Sequence, residues 1–267
     1  MPPLHRRRAL AWTAWGGLEG LGSLGAITGL ALGAPALANP GRPKVRIAVD
    51  EQNPPFMYAN TGGQARGVYP VLLKGIFAEL GLGLELIPLP WKRALRGLDQ
   101  AEHGVGGLYA NSERLAKFDY GEPLLVETVR VYVRRGGLRD LRGLQDLHGL
   151  RLGVLRGWTY GDEFDAARRD GRLRVEEVAM DRQNFGKLER GYLDAVLAVE
   201  QTGEAVMAGG EFPSVRALAT PLMENPAYLA FHKSTGQQAL LKRVDAAVAR
   251  LRDSGAHAKL VSQGLRD

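Results

Sequence analysis

The stretch Gly104 to Tyr120, GVGGLYANSERLAKFDY, organises the reading of this chain. It begins as a Gly-rich apolar run, which predicts a short buried strand. A polar turn, Asn111-Ser112-Glu113, follows, and then an amphipathic segment. Asn111 or Ser112 is placed to cap a helix by accepting its free N–H groups. Arg114 stands where that helix begins. The helix dipole is positive there, so a cation at that point calls for an anionic partner. A planar guanidinium suits a carboxylate held by two parallel hydrogen bonds. Glu113 or Asp119 would be an ordinary surface partner, and a bound anion is the other reading.

Working outward, the 267 residues suffice for one large domain or two modest lobes. At 45% hydrophobic and 24% charged, the composition is that of a globular protein. The net charge is +6, and without residues 1–38 there remain 32 basic and 28 acidic residues. No basic stripe interleaved with aromatics occurs, so no nucleic-acid partner is expected. The absence of cysteine excludes disulfides, thiolate nucleophiles, Cys-ligated zinc and iron–sulfur clusters. Five His without an HExxH pattern predict no metal site, and no cofactor is expected.

Residues 1–38 read as an export signal. Arg6-Arg7-Arg8 precedes a Gly/Ala/Leu stretch, and Ala36-Leu37-Ala38 fits a small-x-small cleavage site. Glu19 and the many glycines make the stretch a poor permanent span. The mature chain is expected to start near Asn39, in a periplasmic space.

Strands are predicted at 44–49, 84–88, 126–134, 150–155, 173–178, 193–199, 215–219 and 228–231, besides the Gly104 run. Helices are predicted at 69–80, 92–100, 184–190, 200–208 and 237–254, with a last one after Gly255. Pro54-Pro55 interrupts regular structure and would display Phe56 and Tyr58 on an extended loop. Strands alternating with helices predict a parallel α/β sheet. Arg135-Gly136-Gly137 separates two α/β units, and a ligand would sit in the cleft between them.

The chain resembles the extracytoplasmic solute-binding proteins of ABC transporters, in the branch of the polar amino-acid binders. The residues that carry the resemblance are Asn53-Pro54-Pro55-Phe56, Gly67 leading into a helix, Trp91, and Ser112-Glu113-Arg114 with Phe118 and Tyr120. Further on come Leu147-x-Gly149 before Leu152-Gly153-Val154, and Gly191-x-x-Asp194-Ala195. The resemblance implies an α/β, two-lobe periplasmic binding protein fold with a hinge and an interlobe cleft. Residues 39–132 and 223–267 would form one lobe and 133–222 the other. Arg114 would clamp the α-carboxylate of an amino acid, helped by backbone N–H groups at Leu108, Tyr109 and the turn Gly157, Trp158, Thr159, Tyr160. Phe56, Tyr58 and Trp91 would wall the cleft. The Asp that usually holds the ligand ammonium falls on Val199, which leaves Glu200 as the candidate. The implied partners are a small carboxylate-bearing ligand and a membrane permease, and the protein would act as a monomer.

Two rival functions follow from the same fold. One is an enzyme, such as a dehydratase of cyclic acids, with Glu200, Glu204 or Asp162 as general acid or base. A carboxylate of raised pKa deep in the cleft would favour it. The other is a binding module that reports its ligand to a membrane sensor.

Overall fold

A computed structural model of the chain describes residues 44–267, and the export-signal reading of residues 1–38 lies outside them. The chain opens with β1 (Val45–Asp50) and a small antiparallel sheet of β2 (Gln52–Asn53), β3 (Met57–Ala59) and β4 (Ala65–Arg66). Next come α1 (Val68–Glu79), β5 (Leu84–Leu89), α2 (Trp91–Asp99), β6 (Gly104–Tyr109), α3 (Ser112–Lys117), β7 (Phe118–Tyr120) and β8 (Leu125–Arg134). They are followed by β9 (Arg151–Leu155), α4 (Asp162–Arg169), β10 (Arg174–Val178), α5 (Asp181–Glu189), β11 (Ala195–Val199) and α6 (Glu200–Met207). β12 (Val215–Ala217), β13 (Met223–His232), α7 (Gln238–Asp253) and α8 (Ala256–Gly264) complete the chain.

The main sheet runs β10-β9-β11-β8-β13-β6-β1-β5, with β12 added to β8 and β7 to β13. β1 lies parallel to both β5 and β6, and β9 lies parallel to both β10 and β11. The expected all-parallel sheet therefore holds only within these two outer groups. Between them β8 runs antiparallel to β11 and β13, and β13 antiparallel to β6. The chain leaves the first group along β8 and returns along β13, so the two crossing strands must oppose each other.

Each crossing strand changes partner midway. β8 pairs with β13 from Leu125 to Val129 and with β11 from Val129 to Val133. β13 pairs with β8 from Met223 to Ala227 and with β6 from Ala227 to Ala230. α8 then packs on α1, with Gly264 against Val68 and Leu260 against Gly75, so the C-terminal helices rejoin the β5-β1-β6 group.

β6 explains its own glycine content. All six of its residues are buried, and a Cβ on Gly104 would come within 2.4 Å of the Phe231 ring. Gly107 has φ +76°, opposite the point where the β13 register shifts between Tyr228 and Leu229. This bulge re-aims the strand end and so sets where Tyr109 points.

Two local expectations change. The segment after β1 is not a bare loop but the hairpin β2–β3, and Phe56 is buried against Tyr69 with ring centroids 6.0 Å apart. α5 starts at Asp181, not Asn184, which brings Asp181 into the first helical turn.

Candidate functional site

Asn111 caps α3, its side chain accepting the Arg114 N–H at 2.9 Å. This fixes Arg114 at the mouth between the two sheet groups. Its guanidinium donates through Nη1 to the Tyr109 carbonyl and through Nη2 to the Gly157 carbonyl, both at 2.8 Å. One bond lies within the β6 group and the other reaches the β9 group. Among the described residues no carboxylate comes within ion-pair distance of Arg114. Burial pulls its pKa below the ordinary guanidinium value, yet a guanidinium stays charged at neutral pH. With two of five N–H groups engaged, donors remain for an anion. Arg114 lines a cavity of about 540 Å³ together with Gly157, Trp158 and Thr159, rimmed by charged side chains of α3 and α4.

In the turn from β9 to α4, the Trp158 N–H is bonded to the Leu155 carbonyl. Gly157 offers its carbonyl to Arg114. The first turn of α4 carries Asp162, Glu163 and Asp165, so acids already occupy the positive end of that helix. The Thr159 hydroxyl bonds to Asp165, and Asn111 Nδ2 donates to the same carboxylate at 2.9 Å. Trp158 faces across: its ring lies 6.2 Å from Trp91 and 5.1 Å, edge-on, from Tyr109. Tyr160 turns back onto Phe164, at 5.0 Å, within its own half. Neither Trp91 Nε1 nor Trp158 Nε1 has a hydrogen-bond partner among the described residues.

Trp158 also lines a void of about 70 Å³ with Trp91, Asp50 and Gln52. Gln52 in turn borders a third cavity of about 400 Å³, walled by Tyr58 on one side and Asp181 and Thr202 on the other. Three separate cavities thus lie in series, the first two sharing Trp158 and the last two sharing Gln52.

Of the residues singled out from sequence, Trp91, Arg114, Gly157, Trp158 and Thr159 come together, and Tyr58 lines the far cavity. Leu108 is wholly buried in β6 and Phe56 in the core beneath the hairpin. Glu200 is committed to Arg130, at 2.5 Å, which also bonds the Ala219 carbonyl. Glu204 is exposed, and Asp162 holds Ser112.

Sequence reasoning missed three buried carboxyls. Glu127 accepts hydrogen bonds from the Tyr69 and Tyr109 hydroxyls, and burial raises its pKa to about 7. Asp50 is raised to about 7, mainly by burial. Asp181 is raised to about 7 by burial and by the charge of Asp50. The available signal for Asp50 was its place at the carboxyl end of a parallel strand, where α/β sheets bind ligands.

A mixed sheet in two groups, joined by two crossing strands and enclosing a lined cavity, defines a two-lobe solute-binding fold. The family model for bacterial extracellular solute-binding proteins, family 3, matches residues 45–264, and the chain belongs to that family. The L-cystine-binding protein TcyJ of Escherichia coli (strain K12) is 23% identical over 219 residues, 78% of this chain and 77% of that protein. A histidine kinase sensor domain similar to periplasmic binding proteins superposes with a TM-score of 0.74 at 19% identity, covering 84% of this chain and 96% of its own. An ancestral arginine-binding protein bound to arginine superposes with a TM-score of 0.70 at 22% identity, covering 83% and 98%. Among the described residues no helix is long and apolar enough to cross a membrane.

Proposed function

We propose that this protein is the periplasmic binding component of an ABC-type uptake system for a small carboxylate-bearing solute of the amino-acid class. The observation that carries this reading is Arg114, a charged group without a carboxylate partner among the described residues, bonded to both halves and facing a cavity. A ligand carboxylate there would add an interaction made only when Tyr109 and Gly157 are close. Closure is then favoured by the ligand's differential affinity for the closed state. The hinge we assign to the partner changes at Val129 of β8 and Ala227 of β13, which bound the lobes near residues 132 and 223. TcyJ is named for L-cystine and a solved neighbour holds arginine, which supports an amino acid as the ligand class. A permease is the partner such a protein would serve, and a monomer suffices for this mechanism.

The test is calorimetry of the purified protein against L-cystine, L-arginine and their relatives. Arg114→Ala should weaken any carboxylate ligand by about thirtyfold or more, the scale for truncating one partner of a buried charge pair. Unchanged affinity would remove Arg114 from the site.

Two further readings have support. The raised pKa of Asp181 beside a cavity is what an acid–base enzyme would need. Mass spectrometry of a bound ligand after prolonged incubation decides this, since turnover changes its mass or leaves it intact. The likeness to a sensor domain supports a signalling role built on the same closure, and co-purification with either a permease or a kinase separates the two.

A further inference from the structure

We propose that Glu127 is a positioning residue that makes the ligand site pH-sensitive: as a carboxylate it holds the Tyr109 hydroxyl, and with it the ring that meets Trp158, and on protonation it gives up that hold. Glu127 lies on the crossing strand β8, just before the partner change at Val129. It is 3% exposed, and its two oxygens are taken by hydroxyls from two elements, Oε1 by Tyr69 of α1 and Oε2 by Tyr109 of β6. Tyr109 carries that hold to the site by two routes. Its carbonyl accepts from Arg114 Nη1, and its ring meets Trp158 of the opposite half edge-on.

An ionised carboxylate only accepts, so it serves both tyrosines at once. Once protonated, it must donate through one oxygen, and the tyrosine hydroxyl that accepts this bond loses its own acceptor. Tyr69 has no room to yield. It is wholly buried, its ring lies 6.0 Å from Phe56, and a Cβ on Gly107 would come within 2.9 Å of it. Tyr109 ends its strand against a residue of the other half, so it is the one that lets go.

Burial lifts Glu127 to about 7, which puts the change near neutrality. The same burial, with the Glu127 charge, holds both tyrosines far above the usual phenol range, so their hydroxyls stay donors. The titratable groups facing Glu127 are these two tyrosines. Its register partner on β13 is Asn225, and Tyr160, before α4, acts on Tyr109. Asp50 and Asp181 titrate in the same range and must be separated by experiment.

This inference rests on the binding-protein reading and deepens it, so its test has one arm without ligand and one with. Carbon-13 at tyrosine Cζ reads the Tyr109 hydroxyl in the ligand-free protein, its signal assigned by its loss in Tyr109→Phe. The signal should move as pH falls through about 7 in wild type, Asp50→Asn and Asp181→Asn, and stay still in Glu127→Gln. A still signal in wild type, or one that moves in Glu127→Gln, overturns the proposal. Calorimetry with L-arginine and L-cystine is then run at about pH 5.5 and about pH 8.5, on either side of the transition. Glu127→Gln should bind about tenfold more weakly than wild type at the higher pH and equally at the lower. Tyr109→Phe keeps the ring and should show the same pattern, which serves if Glu127→Gln does not fold. A residue serving only the fold would weaken binding alike at both pH values, and that result overturns the proposal. If wild type binds neither probe, the link to a ligand falls together with the binding-protein reading, whereas a still Tyr109 signal sinks this inference alone.

Discussion

The carboxylate of Asp162, at the start of α4, accepts both the main-chain N–H of Ser112 at 2.9 Å and its hydroxyl at 2.6 Å. These residues belong to opposite sides of the cleft. With the Asn111–Asp165 and Arg114–Gly157 bonds, they form a latch that joins the two sides. Asp162 is exposed, so water competes for both bonds and the latch is modest. Combining Ser112→Ala with Asp162→Asn should weaken ligand binding about three- to tenfold by favouring the open state. Small-angle scattering should show a larger radius of gyration for the ligand-free variant. An unchanged radius and affinity would mean that the latch contributes nothing to closure.

The tryptophans give a direct reading of the same motion. The sequence has four, at positions 12, 15, 91 and 158. In a Trp12→Phe, Trp15→Phe background the remaining pair faces across the cleft, both rings buried. Opening exposes both to water, so ligand addition should shift the emission to the blue. Emission unaffected by a bound ligand would contradict closure over Trp91 and Trp158.

Glu127 ties the hinge to the cleft wall, because Tyr109 both donates to it and meets Trp158. Glu127→Leu leaves two buried hydroxyls without acceptors and should cost about 2–5 kcal/mol in a urea titration. The pH dependence follows from the direction of the shift. Burial raises Glu127, Asp50 and Asp181 to about 7, so the folded state holds protons more tightly than the unfolded chain. The stability that these three groups contribute should be fully present below the ordinary carboxylate range and be lost as pH rises through about 7, whereas Asp146, Asp162 and Asp194, held low by their hydrogen bonds, contribute in the opposite direction at acid pH. Glu127→Gln should flatten part of that slope. A slope identical to wild type would show that Glu127 is not titrating there.

Most of the elements were legible in the sequence because their causes are local. Periodicity drew α1, α2, α7 and the outer strands to within a few residues, and the polar turn before Arg114 marked a capped helix. The same locality brought out Trp91, Trp158 and Arg114, whose residue types and turns are unusual on their own. What depended on distant chain was hidden. The antiparallel crossing of β8 and β13 follows from how the chain passes between sheet groups, not from either strand's pattern. Glu200 and Asp181 are both acids at helix starts, alike in sequence. Only the folded chain sets Arg130 against the first and leaves the second buried without a counter-charge among the described residues, because an acid's function depends on what approaches it through space.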